Sequence, residues 1–200
     1  MTPPAGPEGR RGPGGASSIW LGYASVAAGG AVFNDVHLNG VDLKGRVSLP
    51  AAFRQTIDIR SGSPKVASGL GRTLRMTFNA ALKCIEVSDG LQIAETEEQM
   101  NAHAVRVSEQ TGELVGDVLD RLEAETYPLM KDVNFDTAGR MVLPDRLRAK
   151  AQIGNDAFFV GRGRRFRIWS PEVLRAAAGG ESGDVLEEME DLLAKRKERG

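Results

Sequence analysis

Two arginines, Arg46 and Arg140, stand in one repeated frame, Asp-x-x-Gly-Arg-x-x-Leu-Pro, written over residues 42–50 and again over residues 136–144. A guanidinium presents a planar fork of N–H donors that matches the O6 and N7 acceptors of guanine, the commonest specific contact in the DNA major groove. An aspartate four residues earlier, Asp42 or Asp136, can pair across a turn and fix the direction of that fork. The intervening glycines, Gly45 and Gly139, admit the positive φ that a tight turn demands. This chemistry is recognition rather than bond making.

The frame extends beyond its core. VDLKGRVSLPAAFR (41–54) and FDTAGRMVLPDRLR (135–148) share six identities in fourteen ungapped positions, Arg54 and Arg148 being the last. We read this as an internal duplication, which must be settled before any fold is assigned. Lys44 has no counterpart, since Ala138 takes its place, so the two copies need not contribute equally.

Charge follows the repeat. Residues 44–83 carry eight Lys/Arg against Asp58 alone, and residues 140–167 carry eight against Asp145 and Asp156. Residues 89–136 hold twelve acids and three bases. Two basic blocks, each overlapping one copy, point to an anionic partner despite a net charge of −1. Arg46, Arg140 and Lys44 are the candidate DNA-binding residues, the two arginines as base readers. Arg54, Arg148, Arg162, Arg164 and Arg165 are candidates for phosphate contact, and Asp42, Gly45, Asp136 and Gly139 organise the turns.

Enzyme chemistry is not expected. His37 and His103 are the only histidines, and no triad or metal-ligand spacing links them to the single cysteine, Cys84. Cys84 falls in an expected strand and reads as a small buried hydrophobe. VGRGRRF resembles a phosphate loop only superficially, because its glycines fall in a hairpin and not between a strand and a helix. No cofactor, metal, membrane or small-molecule substrate is expected. The apolar stretch IWLGYASVAAGGAVF is broken by Gly and Ser and lacks the layout of a signal segment.

The elements that must position the arginines follow one plan. Each turn leads into a short alternating strand, Arg46–Leu49 or Arg140–Leu143, then a proline suited to the first turn of a short helix. Further strands are expected near Leu74–Phe78, Lys83–Val87, Ala157–Val160 and Phe166–Trp169. The turn at residues 161–165 joins the last two. A unit of about forty-five residues is too small to stand alone, so two should close into one barrel-like core that covers their edges. The expected organisation is a disordered arm (1–30), a first unit (32–88), an acidic helical connector (89–130), a second unit (131–174) and an acidic helical tail (175–200). Val107, Leu114, Val118, Leu119 and Leu122 form one apolar stripe. Val185, Leu186, Met189, Leu192 and Leu193 form another.

The doubled frame, together with VGRGRRFRIWSPEVL, resembles the MraZ family over roughly residues 32–178. The resemblance implies an α+β fold with a mainly β core, built from two tandem swapped-hairpin, AbrB-like (double-psi-barrel-like) units with peripheral helices. It implies a cytoplasmic, nucleoid-associated repressor of the division and cell-wall gene cluster, including its own promoter. It also implies a ring-like homo-oligomer on double-stranded DNA with G-rich direct repeats, with Asp42/Arg46 and Asp136/Arg140 as the DNA-contacting element. The rival reading is an AbrB-like antitoxin or a protein-docking barrel. The chain departs from the pattern in its N-terminal arm, its long first-unit loop and its tail after Gly180.

Overall fold

The computed structural model describes residues 31–177 and 179–198, so the expected arm at 1–30 lies outside the described residues. In chain order the elements are β1 (Val36–Gly40), β2 (Arg46–Ser48), α1 (Ala51–Ser61), a 3-10 turn (Leu70–Arg72), β3 (Thr73–Asn79), β4 (Cys84–Asp89), α2 (Gly90–Thr111), α3 (Val115–Thr126), β5 (Lys131–Asn134), β6 (Arg140–Val142), α4 (Asp145–Lys150), β7 (Asp156–Gly161), β8 (Phe166–Trp169), α5 (Pro171–Ala176) and α6 (Gly183–Lys197). None of these helices is long and apolar enough to cross a membrane.

The fold is α+β. Six strands form an antiparallel sheet in the order β1-β7-β8-β4-β3-β5, and β2 and β6 pair separately as a two-stranded ribbon. Two strands cross over between halves of the chain. β1 pairs with β7, Val36 opposite Val160 through Gly40 opposite Asp156, and β5 pairs with β3. The expected closed barrel does not form: β1 and β5 end the sheet, and the ribbon lies over it instead. The ribbon cannot grow to join the sheet, because each of its strands is three residues long and reaches a proline two residues later. Proline has no N–H to extend a ladder.

Pro50 and Pro144 occupy the N-cap positions of α1 and α4, with extended ψ values of 142° and 127°, so each helix starts at the residue after its proline. Strands β1 and β5 were not anticipated. α5 stops at Ala176.

The sheet buries both faces. On one face, Phe159, Phe166, Ile168, Met76 and Val87 pack with Val47, Leu49, Met141 and Leu143 of the ribbon and Phe53 and Ile57 of α1. On the other, Phe158, Val160, Trp169 and Cys84 meet α5 and α6 through Leu174 and Met189. Strand alternation sends neighbouring side chains to opposite faces, so β7 reads as a continuous apolar run. The C-terminal stripe thus docks on its own sheet. Cys84 is fully buried there, and burial pushes its thiol up to about 12. In the other stripe Val118 is buried, while Leu114 at the α2–α3 turn is exposed.

One buried ion pair ties the layers. Arg60 continues the inward stripe of α1 after Phe53 and Ile57, and its Nε and Nη2 donate to Asp89 at 2.6 and 3.0 Å. Asp89 also accepts from the Gln92 amide and so caps α2, while Arg60 reaches the carbonyls of Ala31 and Arg164. Both side chains are almost wholly buried, at 4% and 1% exposure. Removing one partner leaves an uncompensated charge inside. Arg60→Met should therefore cost about 3–5 kcal/mol, read as a fall in the urea midpoint at unchanged slope. A loss below ~1 kcal/mol would show that the pair does not anchor the layers.

Candidate nucleic-acid interface

The two Asp-x-x-Gly-Arg loops have matching hydrogen bonds. Asp42 Oδ1 accepts from the amides of Lys44 and Arg46 at 2.9 and 2.8 Å, and its Oδ2 accepts from Arg46 Nε at 2.5 Å. Asp136 repeats this with Ala138, Arg140 and Arg140 Nε at 2.9, 2.9 and 2.6 Å. The Gly45 and Gly139 amides donate to the carbonyls of Asp42 and Asp136. Both glycines have φ near +80° (74° and 81°), where L side chains are strained. A Cβ on Gly139 would also strike Arg54 Cδ at 2.5 Å.

The loops hold each other. The Leu49 amide donates to the Gly139 carbonyl at 2.7 Å, and the Leu143 amide donates to the Gly45 carbonyl at 2.9 Å. Between these bonds the ribbon pairs Arg46 with Val142, Val47 with Met141 and Ser48 with Arg140. Val47 and Met141 point into the core, so Arg46, Ser48, Arg140 and Val142 share the outer face. Arg46 and Arg140 are diagonal neighbours there, with Cα atoms roughly 7–8 Å apart. They line one shallow depression with Gly40, Val47 and Ser48, and their side chains are 63% and 74% exposed. In each, the aspartate holds Nε, and no hydrogen bond among the described residues uses the Nη groups.

The other candidates sort by place. Lys44 is exposed at the tip of the first loop, beside Leu43, which is 93% exposed. Arg54 and Arg148 are half-buried and cross to the opposite loop: Arg54 Nη1 donates to Thr137 O at 3.3 Å and Arg148 Nη1 to Leu43 O at 3.5 Å. Arg148 also donates to the carbonyls of Ile153 and Gly154, in the loop after α4. Arg162, Arg164 and Arg165 lie on the β7–β8 turn, where they meet Glu181, Glu95 and Glu86. That turn adjoins the Val36 end of the β1–β7 ladder, whereas the Asp42 loop leaves from the Gly40 end, about 15 Å away along the strand. The two arginine groups are thus not brought together.

Comparison with known proteins gives the lineage. The family model described as "MraZ protein, putative antitoxin-like" matches residues 130–181. The chain is 33% identical over 161 residues to a transcriptional regulator MraZ of Rhodospirillum rubrum, covering 78% of this chain and 91% of that protein. The chain belongs to the MraZ family. A MraZ of Parvibaculum lavamentivorans is 34% identical over 146 residues, covering 73% of this chain and 80% of the relative. One of Ruegeria pomeroyi is 32% identical over 133 residues, covering 66% and 72%.

In this MraZ-family chain, several residues that shape the interface escaped sequence reasoning. Asn39 Nδ2 donates to Ser48 O at 2.6 Å, fastening β1 to the ribbon, and no sequence signal marks it. The crossing of Arg54 and Arg148 did leave a signal, because the arginine recurs at the same position in both copies. Arg60 falls seven residues after Phe53 and three after Ile57, and that spacing marks it as inward-facing.

The aspartates set the pH range of the interface. The Arg46 backbone amide, then its guanidinium, holds the Asp42 carboxyl below its usual value, and Arg140 does the same for Asp136. A carboxyl depressed on folding gives stability that is present above its unfolded value and is lost as pH falls through the folded one. The loops of this MraZ-family chain should therefore persist from neutrality to below the ordinary aspartate value of about 3.9. The amide resonances of Arg46 and Arg140 report this. Loop amides that titrate near pH 6 would contradict it.

Proposed function

We propose that this chain is a transcriptional regulator that reads double-stranded DNA with the outer face of the β2–β6 ribbon. The observation that carries this is the pair of forks, each fixed at Nε by its own aspartate and open at Nη, on one exposed two-stranded face. The B-DNA major groove admits a two-stranded ribbon, and an Arg fork matches guanine O6 and N7. The names of the relatives, transcriptional regulators, support the same reading. Lys44 adds charge to one copy only. Arg54 and Arg148 serve chiefly to brace the loops that carry the forks.

The finer reading follows the family resemblance. Each half contributes a hairpin whose outer strand comes from the other half, which supports two swapped-hairpin units of the AbrB kind. The targets are G-rich direct repeats upstream of the division and cell-wall cluster, including the chain's own promoter, and the protein acts as a repressor at the nucleoid. Exposed Val105, Leu114 and Val115 on the α2–α3 hairpin support self-association into a ring, which would give avidity on repeated sites. The words "antitoxin-like" in the family description favour one second reading, a toxin-binding role. Co-purification of a small nuclease with the full chain would support it.

In a fluorescence titration against DNA from upstream of its own gene, Arg46→Ala should lose about 1–3 kcal/mol of specific binding per lost fork. Wild-type binding should weaken steeply with salt, by about 0.9 in log–log slope per neutralised phosphate. Unchanged selectivity in both Arg46→Ala and Arg140→Ala would sink the ribbon reading. Light scattering should give a mass several times the 21.5 kDa protomer. A monomer that still binds the repeats tightly would remove the ring.

A further inference from the structure

Helix α6 is chemically polarised. Asp184, Glu187, Glu188, Glu190 and Asp191 occupy its first two-thirds, and Lys195, Arg196 and Lys197 its last turn. Bases at a helix C-terminus complement the helix dipole, which accounts for their sign. It does not account for where this end of the helix is placed.

The apolar stripe of α6 packs on Trp169 and Phe158, and the helix runs along β1. Its last turn comes to rest on Gly40. Arg196 pairs with Asp156, the residue opposite Gly40 in the β1–β7 ladder. A Cβ on Gly40 would stand 2.6 Å from Arg196 Nη2, so glycine leaves the space the guanidinium fills. Gly40 also lines the depression that holds Arg46, Ser48 and Arg140. One glycine thus separates the basic turn of α6 from the paired forks.

Lys195 and Lys197 flank Arg196 by about 100° on either side of the helix. Both are exposed and make no ion pair among the described residues. Asp191 stands one turn before Lys195, and Glu190, about two turns before Lys197, is occupied by Arg175. The acidic part of α6 lies roughly 6–16 Å further back along the axis, at 1.5 Å per residue.

We infer that the last turn of α6 extends the ribbon's DNA-reading face across Gly40 and takes the phosphate backbone of the same duplex through Lys195 and Lys197. This rests on the DNA reading proposed above. Arg196 is the positioning residue, held by Asp156 so that the two lysines straddle the edge of β1. Their contribution is charge without sequence information, since phosphate contacts set register and affinity while base contacts set choice.

The test compares full-length wild type, Lys195→Glu/Lys197→Glu and Arg46→Ala by fluorescence anisotropy. Each is titrated with a 40-base-pair duplex from upstream of the chain's own gene, and with a scrambled duplex of equal composition, at several salt concentrations. Both lysines are exposed, so an unchanged thermal midpoint verifies that the double variant is folded. The double variant should bind both duplexes at least ~10-fold more weakly, with the log–log salt slope reduced by about 1–2 and the preference between duplexes kept. Lys195→Gln/Lys197→Gln should fall between it and wild type. A slope and affinity equal to wild type in the double variant, with selectivity lost in Arg46→Ala, would overturn this inference and leave the ribbon reading intact. Wild-type protein with no affinity for either duplex would overturn both.

Discussion

Two peptide hydrogen bonds, Leu49 to Gly139 and Leu143 to Gly45, fix the geometry on which the site depends. A three-residue strand has almost no stability of its own, and a lone two-stranded ribbon is marginal in water. Here each loop accepts from the backbone just beyond the other loop's own strand, and each receives the opposite copy's arginine at its tip. Neither loop can move without its twin. The inner residues Val47 and Met141 then fasten the pair to the sheet through the shared core. Pre-set forks of this kind lose little freedom on meeting a ligand, which is how rigid presentation improves affinity and discrimination.

Charge along the chain proves a poor map of charge in space. The basic blocks seen in sequence include Arg60, Arg75, Arg162, Arg165 and Arg167, and the fold spends these on Asp89, Asp132, Glu97, Glu181 and Glu86. Glu181 alone, buried, accepts from Arg162, Arg167 and the Trp169 indole. Asp89, Glu97, Asp132 and Glu181 come from the stretches that read as separately acidic, 89–136 and the tail, whereas Glu86 lies on β4 of the first unit. The basic surface that remains is smaller than the sequence implies.

The legible parts were those whose cause is local. The Asp and Gly of each turn, the alternation in Arg46–Ser48 and Arg140–Val142, and the apolar run of β7 each follow from neighbouring residues, and the strands appear where those rules put them. β1 and β5 follow from no local rule. VHLNG and KDVN are short, half-exposed and without clear alternation, and become strands because a distant hairpin offers them an edge. The open sheet was missed for the same reason, since closure depends on how far each short strand can extend. The roles of Arg54, Arg148 and Arg60 depend on partners between 29 and 105 residues away. No window of sequence contains both members of such a pair.

The crossing of β1 to β7 also has a consequence in time. A strand at residues 36–40 finds its only sheet partner among the described residues at 156–161, so it cannot take that place until more than a hundred further residues have been made. At typical synthesis rates of about 5–20 residues per second, it stands exposed for roughly ten seconds on the ribosome. Such long-range pairing also places folding among the slower topologies, because loop closure must precede the contacts that reward it. Translation of the first half therefore yields neither the β1–β7 pair nor the β2–β6 ribbon, since each needs a strand from the second half.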